Sequence, residues 1–228
     1  MGSIAQNLQA VKSRIAEAER VAGRAPGVVA LLAVSKTHAP ERIGEACAAG
    51  QRAFGENYVQ EALDKMAHLA ALPLEWHLVG PLQSNKTRAV AERFDWVHTV
   101  DREKTARRLA EQRPAGRAPL NVLIQVNVSG EASKSGVAPA QAAALAAAIA
   151  PLKNLRLRGL MAIPEPGAPP SRFTEIGALF EGLRGEFGLD TLSLGMSEDL
   201  EAAIAAGSTM VRIGTAIFGE RRKVRHAA

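Results

Sequence analysis

A lysine closing an apolar run is the first group in this chain with chemistry to offer. Val28-Val-Ala-Leu-Leu-Ala-Val-Ser-Lys36 sets Lys36 behind seven apolar residues and one serine. Apolar surroundings disfavour the charged ammonium, and a neutral amine is what condensation with a carbonyl needs. Position alone suits a strand end surfacing into solvent equally well. The distal part of the chain adds partners. Leu192-Ser-Leu-Gly-Met-Ser-Glu-Asp-Leu-Glu201 reads as a strand, a turn and a helix start, with Met196 and Ser197 at the strand end and Ser197 as N-cap. Met210-Val-Arg-Ile-Gly-Thr-Ala-Ile-Phe-Gly219 follows, with Gly214 where backbone can approach a ligand closely. Amides at a helix start, joined by the Ser197 and Thr215 hydroxyls, are suitable donors to an anion. Glu198 and Asp199 suit the positive helix end but would repel an anion, so they are expected to face solvent. Taken singly, Ser197 reads as a plain cap and Gly214 as a bulge. Arg212, inside an apolar strand, costs several kcal/mol if buried unpaired, so a ligand atom or a carboxylate of the barrel must meet it. His77 has no second His, Cys or carboxylate at ligand spacing, so no metal site is expected.

These groups need a scaffold that brings distant segments together. Short β-branched or apolar runs alternate along the chain with Ala/Leu/Glu/Arg-rich stretches of helical period. Strands are expected over 28–35, 53–55, 75–79, 96–100, 121–128, 155–162, 191–195 and 210–213. Helices are expected over 40–49, 58–71, 86–93, 103–113, 139–150, 172–187 and 199–206, with an extra N-terminal helix over 3–22. Unbroken β-α alternation calls for parallel strands. Eight repeats favour a single closed (β/α)8 TIM barrel, with an open doubly wound sheet as the alternative. Functional groups of such a barrel gather at the C-terminal strand ends, and its phosphate sites are frequent after strands seven and eight. The strand ends carry Lys36, Asn57, His77, Gly80, Asn127, Met161, Met196, Ser197, Arg212 and Gly214. The proline-rich stretch 163–170 is expected as a stiff loop. No linker divides the chain, so residues 1–228 are expected to form one domain with a basic tail from about 220.

Composition narrows the partners. With 47% hydrophobic and 22% charged residues the 228-residue chain can bury a sizeable core. No stretch approaches the roughly 20 apolar residues of a membrane span, and the polar N-terminus does not read as a signal peptide. One cysteine, Cys47, leaves no internal disulfide framework and suits a reducing cytoplasm. The net charge of +5 is scattered, and aromatics are 4% of the chain. Nucleic acid is therefore disfavoured, since its grooves need a basic face and stacking aromatics. A basic balance does suit small phosphorylated or carboxylated molecules.

Five motifs, in order, carry a resemblance. Ala33-Val-Ser-Lys-Thr-His38, Phe54-Gly-Glu-Asn-Tyr-Val-Gln-Glu61, His77-Leu-Val-Gly-Pro-Leu-Gln-Ser-Asn-Lys86, Gly195-Met-Ser-Glu-Asp199 and Val211-Arg-Ile-Gly-Thr-Ala-Ile-Phe-Gly219 resemble the pyridoxal 5'-phosphate (PLP) homeostasis proteins, relatives of the N-terminal barrel of alanine racemase. The resemblance implies a fold-type III barrel with PLP as a Schiff base on Lys36 and Asn57 beside it. It implies phosphate contacts from Ser197 and from the Gly214–Thr215 backbone, and Arg212 facing the pyridine nitrogen. An arginine there leaves that nitrogen unprotonated and weakens the ring as an electron sink. Such proteins are understood to carry, buffer or deliver PLP and to influence amino- and keto-acid balance, without an established reaction. Asn127-Val-Ser-Gly-Glu-Ala-Ser-Lys-Ser-Gly136 is a sixth similar segment. In it the resemblance gives Lys134 a secondary role in PLP binding, against the plainer reading of an exposed loop lysine.

An enzyme is the competing class. A racemase needs a second base, and the only tyrosine, Tyr58, begins the helix after strand two, which leaves His77, more often a core or rim histidine. The chain is expected to stop after strand eight, without the racemase's second domain, which points to a monomer. A Schiff-base aldolase would more usually place its lysine on a later strand with a carboxylate near it, and here the nearest in sequence is Glu41. A non-catalytic PLP carrier, with PLP-dependent apo-enzymes as partners, is the reading taken forward.

Overall fold

A computed structural model describes residues 2–130 and 135–220. Lys134 and the basic tail beyond 220 lie outside the described residues. Eight parallel strands close into a barrel in sequential order: β1 (Ala30–Val34), β2 (Ala53–Glu56), β3 (Glu75–Leu78), β4 (Trp96–Val100), β5 (Leu120–Val126), β6 (Leu155–Ala162), β7 (Thr191–Ser193) and β8 (Met210–Ile213). Closure is made by β1 against β8, with Ala30 opposite Met210 and Ala33 opposite Ile213. The open sheet is thereby excluded.

The helices are α1 (Ile4–Val21), α2 (Pro40–Ala48), α3 (Val59–His68), α4 (Thr87–Arg93), α5 (Glu103–Gln112), α6 (Ala142–Ile149), α7 (Pro170–Phe187), α8 (Leu200–Ala205) and α9 (Thr215–Phe218). Their apolar faces pack on the outer side of the strands. The lumen is filled by side chains of alternate strand positions, including Leu32, Val79 and Met210 in one cluster and Trp96, Leu123 and Met161 in another. Met161, expected among the functional strand ends, is therefore barrel filling.

Three boundaries differ from the sequence reading for identifiable reasons. The helix expected from 172 starts at Pro170, because a proline at the first helical position has its φ preset and needs no N–H partner. Ser197 is not an N-cap. Helix α8 starts at Leu200, and it is Asp199 whose carboxylate accepts from the Met196 amide across the turn. Helix α9 was not expected; its four residues continue an apolar run that gives no periodic signal of its own.

The extra N-terminal helix has a place. Ser3 Oγ accepts from the Gln6 amide and Gln6 Oε1 accepts from the Ser3 amide, a capping box. Ile4, Leu8, Val11 and Ile15, on one face, are buried. That face lies against α8 and α9, where Asn7 Nδ2 donates to the Ile217 carbonyl at 2.9 Å.

Candidate functional site at the C-terminal mouth of the barrel

A cavity of about 630 Å³ opens at the C-terminal ends of the strands. That is within the roughly 300–1,000 Å³ of small-molecule sites. Lys36, Asn57, Met196, Ser197, Arg212, Gly214 and Thr215 all line it. So do His38 and the proline-rich loop after β6, which sequence reasoning assigned no role. His77 and Asn127 are not among the lining residues.

Lys36 is held by its neighbours on both sides. Ser35, fully buried, takes its amide to the Gly55 carbonyl at 2.9 Å and its hydroxyl to Glu56 Oε1 at 2.6 Å. Lys65, from α3, donates to the Ser35 carbonyl at 2.8 Å, to Glu56 Oε1 at 2.7 Å and to Glu61 Oε1 at 2.6 Å. The same Glu61 oxygen accepts from the Thr37 amide at 2.6 Å. Thr37 sits at φ 65°, a strained conformation for a β-branched residue. Burial raises the Glu56 carboxyl above its usual range, opposed by Lys65. Thus a Glu56–Lys65–Glu61 triad, buried at Glu56 and Lys65 and part-exposed at Glu61, grips the residues before and after Lys36 and fixes where its stem leaves the barrel. Sequence reasoning missed the triad. Its one signal was Lys65, a charge in line with Val59, Ala62 and Met66 on the buried face of α3.

Asn57 follows β2 and lies against the residue after β3. A Cβ at Gly80 would lie 2.2 Å from the Asn57 carbonyl oxygen, so only glycine permits this approach. Gly214 has an ordinary negative φ of −116°, and a Cβ there would meet the Val34 carbonyl at 3.0 Å. Its smallness therefore serves the β1–β8 seam that carries Lys36.

The rim after β7 and β8 is built from turns. The amides of Thr215 and Ala216 open α9, where no preceding helical carbonyl exists to accept them. Arg14, from α1, donates to the Ser197 carbonyl at 2.7 Å and pairs with both Glu201 oxygens. Glu198 and Asp199 both stand at the cavity; Glu198 turns to solvent as expected, whereas Asp199 is half-buried. The Asp199 carboxylate is engaged by the Met196 amide.

Arg212 is the electrostatic centre. It is 5% exposed; Nη1 donates to the Ser193 carbonyl at 2.7 Å and hydroxyl at 2.8 Å, and Nη2 donates to the Ala162 carbonyl at 2.9 Å. Burial pushes it down to about 10, which leaves it a cation at neutral pH. No carboxylate lies within ion-pair distance of it among the described residues. A buried cation hydrogen-bonded only to carbonyls and a hydroxyl, with Asp199 acting on it at longer range, and lining a cavity beside a lysine, suits an anionic or acceptor-bearing ligand. His77 lies away from this cavity, fully buried inside the barrel. Its Nε2 is 2.6 Å from Glu75, its Nδ1 is 2.9 Å from His98, and its ring is stacked on Trp96. Among the described residues no group of three potential ligands forms a metal site, and no helix is long and apolar enough to cross a membrane.

Fold and site together define the class, a single (β/α)8 barrel with a lysine, a buried arginine and a polar rim at its C-terminal mouth. The family described as "Alanine racemase, N-terminal domain" matches residues 6–222. The chain is 61% identical over 225 residues to the pyridoxal phosphate homeostasis protein of Pseudomonas aeruginosa, covering 97% of each. It is 58% identical over 229 residues to that of Escherichia coli K12, covering 97% of this chain and 98% of the relative. PipY of Synechococcus elongatus, solved with PLP bound, is similar in structure at a TM-score of 0.82 and 39% identity, covering 95% of this chain and 100% of that one. The chain belongs to the pyridoxal phosphate homeostasis protein family.

Proposed function

We propose that the chain binds PLP in the barrel mouth, anchored on Lys36, and serves intracellular PLP homeostasis. The observation that carries this reading is the pairing, in one cavity, of Lys36 with a buried arginine that no carboxylate contacts. The names of the relatives and the PLP-bound PipY support it. PLP supplies an aldehyde for an amine and a phosphate for anion donors. Lys36 offers the amine, and the triad beneath it sets its direction. Ser197, Thr215 and the open amides of α9 offer donors to the phosphate. Arg212 presents a fixed N–H array to a ring acceptor, with Asn57 and Met196 along the wall. Lys134 keeps the secondary role that the resemblance gives it.

We take the role to be holding and handing over PLP to apo-enzymes, by a monomer and without turnover. Tyr58, the only tyrosine, is 58% exposed and absent from the cavity lining, which weakens the racemase reading. The test is direct. Borohydride reduction of the PLP-loaded protein followed by peptide mapping is expected to place the adduct on Lys36, and Lys36→Ala to abolish the visible absorbance. An adduct at another lysine overturns the assignment. Pyridoxal lacking the phosphate is expected to bind at least about tenfold more weakly, because charge-assisted hydrogen bonds are lost; equal affinities would show that the rim takes no phosphate. A chiral assay with alanine is expected to show no racemisation.

A further inference from the structure

The lumen below the cavity holds a row of polar side chains that the binding of a ligand does not explain. Glu75, His77, His98, Ser193 and Arg212 come from β3, β4, β7 and β8 and form one hydrogen-bonded line. Its contacts are Glu75 Oε1 to His77 Nε2 at 2.6 Å, His77 Nδ1 to His98 Nε2 at 2.9 Å, His98 Nδ1 to Ser193 Oγ at 3.1 Å, and Ser193 Oγ to Arg212 Nη1 at 2.8 Å. His77, His98 and Ser193 are fully buried, whereas the Glu75 side chain is 49% exposed at the opposite end of the barrel.

The acceptor-only carboxylate at one end, with two neutral rings, sets the donor order along the line, and the donor-only guanidinium at the other end is compatible with it. A carboxylate only accepts and a guanidinium only donates. Glu75 therefore accepts a hydrogen bond from His77 Nε2–H. In a neutral imidazole the other nitrogen is then an acceptor, so His77 Nδ1 accepts from His98 Nε2–H. His98 Nδ1 must in turn accept, and the Ser193 hydroxyl supplies that proton. This leaves the Ser193 oxygen lone pairs to Arg212, which donates as it must. The carboxylate end fixes this order; from the Arg212 end alone a serine oxygen could accept twice. Burial holds His77 and His98 in the neutral form, lowering both below the usual histidine range. The other charged groups facing the pair are Asp95, near His77, and Arg158, whose guanidinium lies 4.6 Å over the Trp96 ring on which His77 stacks.

We propose that His77 and His98 are positioning residues of the cofactor site, fixing Arg212 through a one-way hydrogen-bond relay whose anionic terminus is Glu75. The relay adds a second anion to the longer-range influence of Asp199 on a buried cation that no carboxylate touches. Each donor polarises the next toward the carboxylate, while the Ser193 oxygen and carbonyl hold one guanidinium nitrogen in a single orientation. The Arg212 face toward the cavity thereby stays available to the ligand.

Two measurements decide it. In wild-type protein without cofactor, nitrogen-15 long-range correlation spectra at pH 7.5 are expected to show both His77 and His98 as Nε2–H tautomers, assigned with His98→Gln. A proton on Nδ1 of either ring, or an imidazolium, overturns the relay. This measurement is independent of what the cavity binds. The second rests on the reading of the mouth as a PLP site. His98→Leu, which cuts the line, is expected to weaken PLP binding about tenfold. His98→Gln, whose amide can both accept from Ser193 and donate to His77, is expected to stay within about threefold of wild type. Equal losses in both variants, or none in His98→Leu, overturn the positioning role. If wild-type protein bound no PLP, the proposed function would fail while the tautomers still decided the relay.

Discussion

Lys65→Met isolates what the triad under Lys36 contributes. The substitution keeps most of the buried stem and removes the Nζ that joins the Ser35 carbonyl, Glu56 and Glu61. The Glu56 side chain is fully buried, and its second oxygen has no hydrogen-bond partner. Without Lys65 this carboxylate keeps only the Ser35 hydroxyl. Breaking a buried pair by removing one partner costs about 3–5 kcal/mol. With a urea slope of about 3 kcal/mol/M, near the upper end for small proteins, the midpoint is expected to fall by about 1–2 M. The pH dependence gives the sharper check. Glu56 already has a raised carboxyl, so it contributes stability at low pH that is lost as pH rises through its folded value. Removing Lys65 takes away the chief opposing influence and raises it further. The variant's deficit is therefore largest near pH 7.5 and shrinks on acidification, by at most about 1.4 kcal/mol per pH unit. Adding Glu56→Leu is expected to recover most of the loss, since an apolar replacement leaves no buried charge. The assay is urea unfolding followed by circular dichroism at pH 5.5, 6.5 and 7.5. A loss below about 1 kcal/mol at pH 7.5, or one that grows toward acid, would refute the argument, the first against the roughly 3–5 kcal/mol expected of a broken buried pair.

Two further outcomes follow from the lumen and from α1. The two lumen histidines have lowered folded values, so they contribute stability that is present at pH 7 and lost as the pH falls below about 6.5. His98→Gln is expected to flatten the acid slope relative to wild type by up to about 1.4 kcal/mol per pH unit, and identical slopes between pH 6.5 and 5.5 would count against neutral burial. Arg14→Met removes the partner of the Ser197 carbonyl and of Glu201; the Arg14 and Glu201 side chains are 39% and 54% exposed. Its stability change is expected to stay below about 1 kcal/mol, as for other surface pairs, while the preference for PLP over pyridoxal narrows. An unchanged preference, measured by parallel titrations, would show that α1 does not brace the phosphate rim.

Local pattern was sufficient for the barrel because each strand ends in polar or small residues and each helix has its own period. It failed where two signals overlapped. Pro170 belongs both to a proline-rich loop and to the first turn of α7, and only the tertiary path chooses between them. In Gly195-Met-Ser-Glu-Asp199 three side chains could have capped α8; the residue that reaches the Met196 amide is Asp199, because the chain spends Ser197 and Glu198 in a turn before the helix begins. At the mouth, Lys36, Asn57, Ser197, Arg212, Gly214 and Thr215 were legible because strand ends converge in any closed barrel. Nothing in the neighbourhood of His77 distinguished a rim position from an inward one one step further down.

The relay was nevertheless encoded, in strand parity rather than in motif. On β3, Glu75, His77 and Val79 share one face; on β4, Trp96 and His98 share one; Ser193 stands on β7 and Met210 with Arg212 on β8. Val79 and Met210 pack together with Leu32, and Trp96 packs with Leu123 and Met161, so every one of these alternating sets is the inward set. Once closure is assumed, period-two alternation alone places two histidines, a serine and an arginine in a lumen that usually holds branched apolar residues. Buried polar groups must find partners, and inside this closed barrel they find them in one another and in the strand-end carbonyls of Ser193 and Ala162. The requirement stated for Arg212 from the sequence, that a ligand atom or a barrel carboxylate meet it, was too narrow by one possibility. The carboxylate can stand at the far end of the barrel and reach the cation through three intervening side chains.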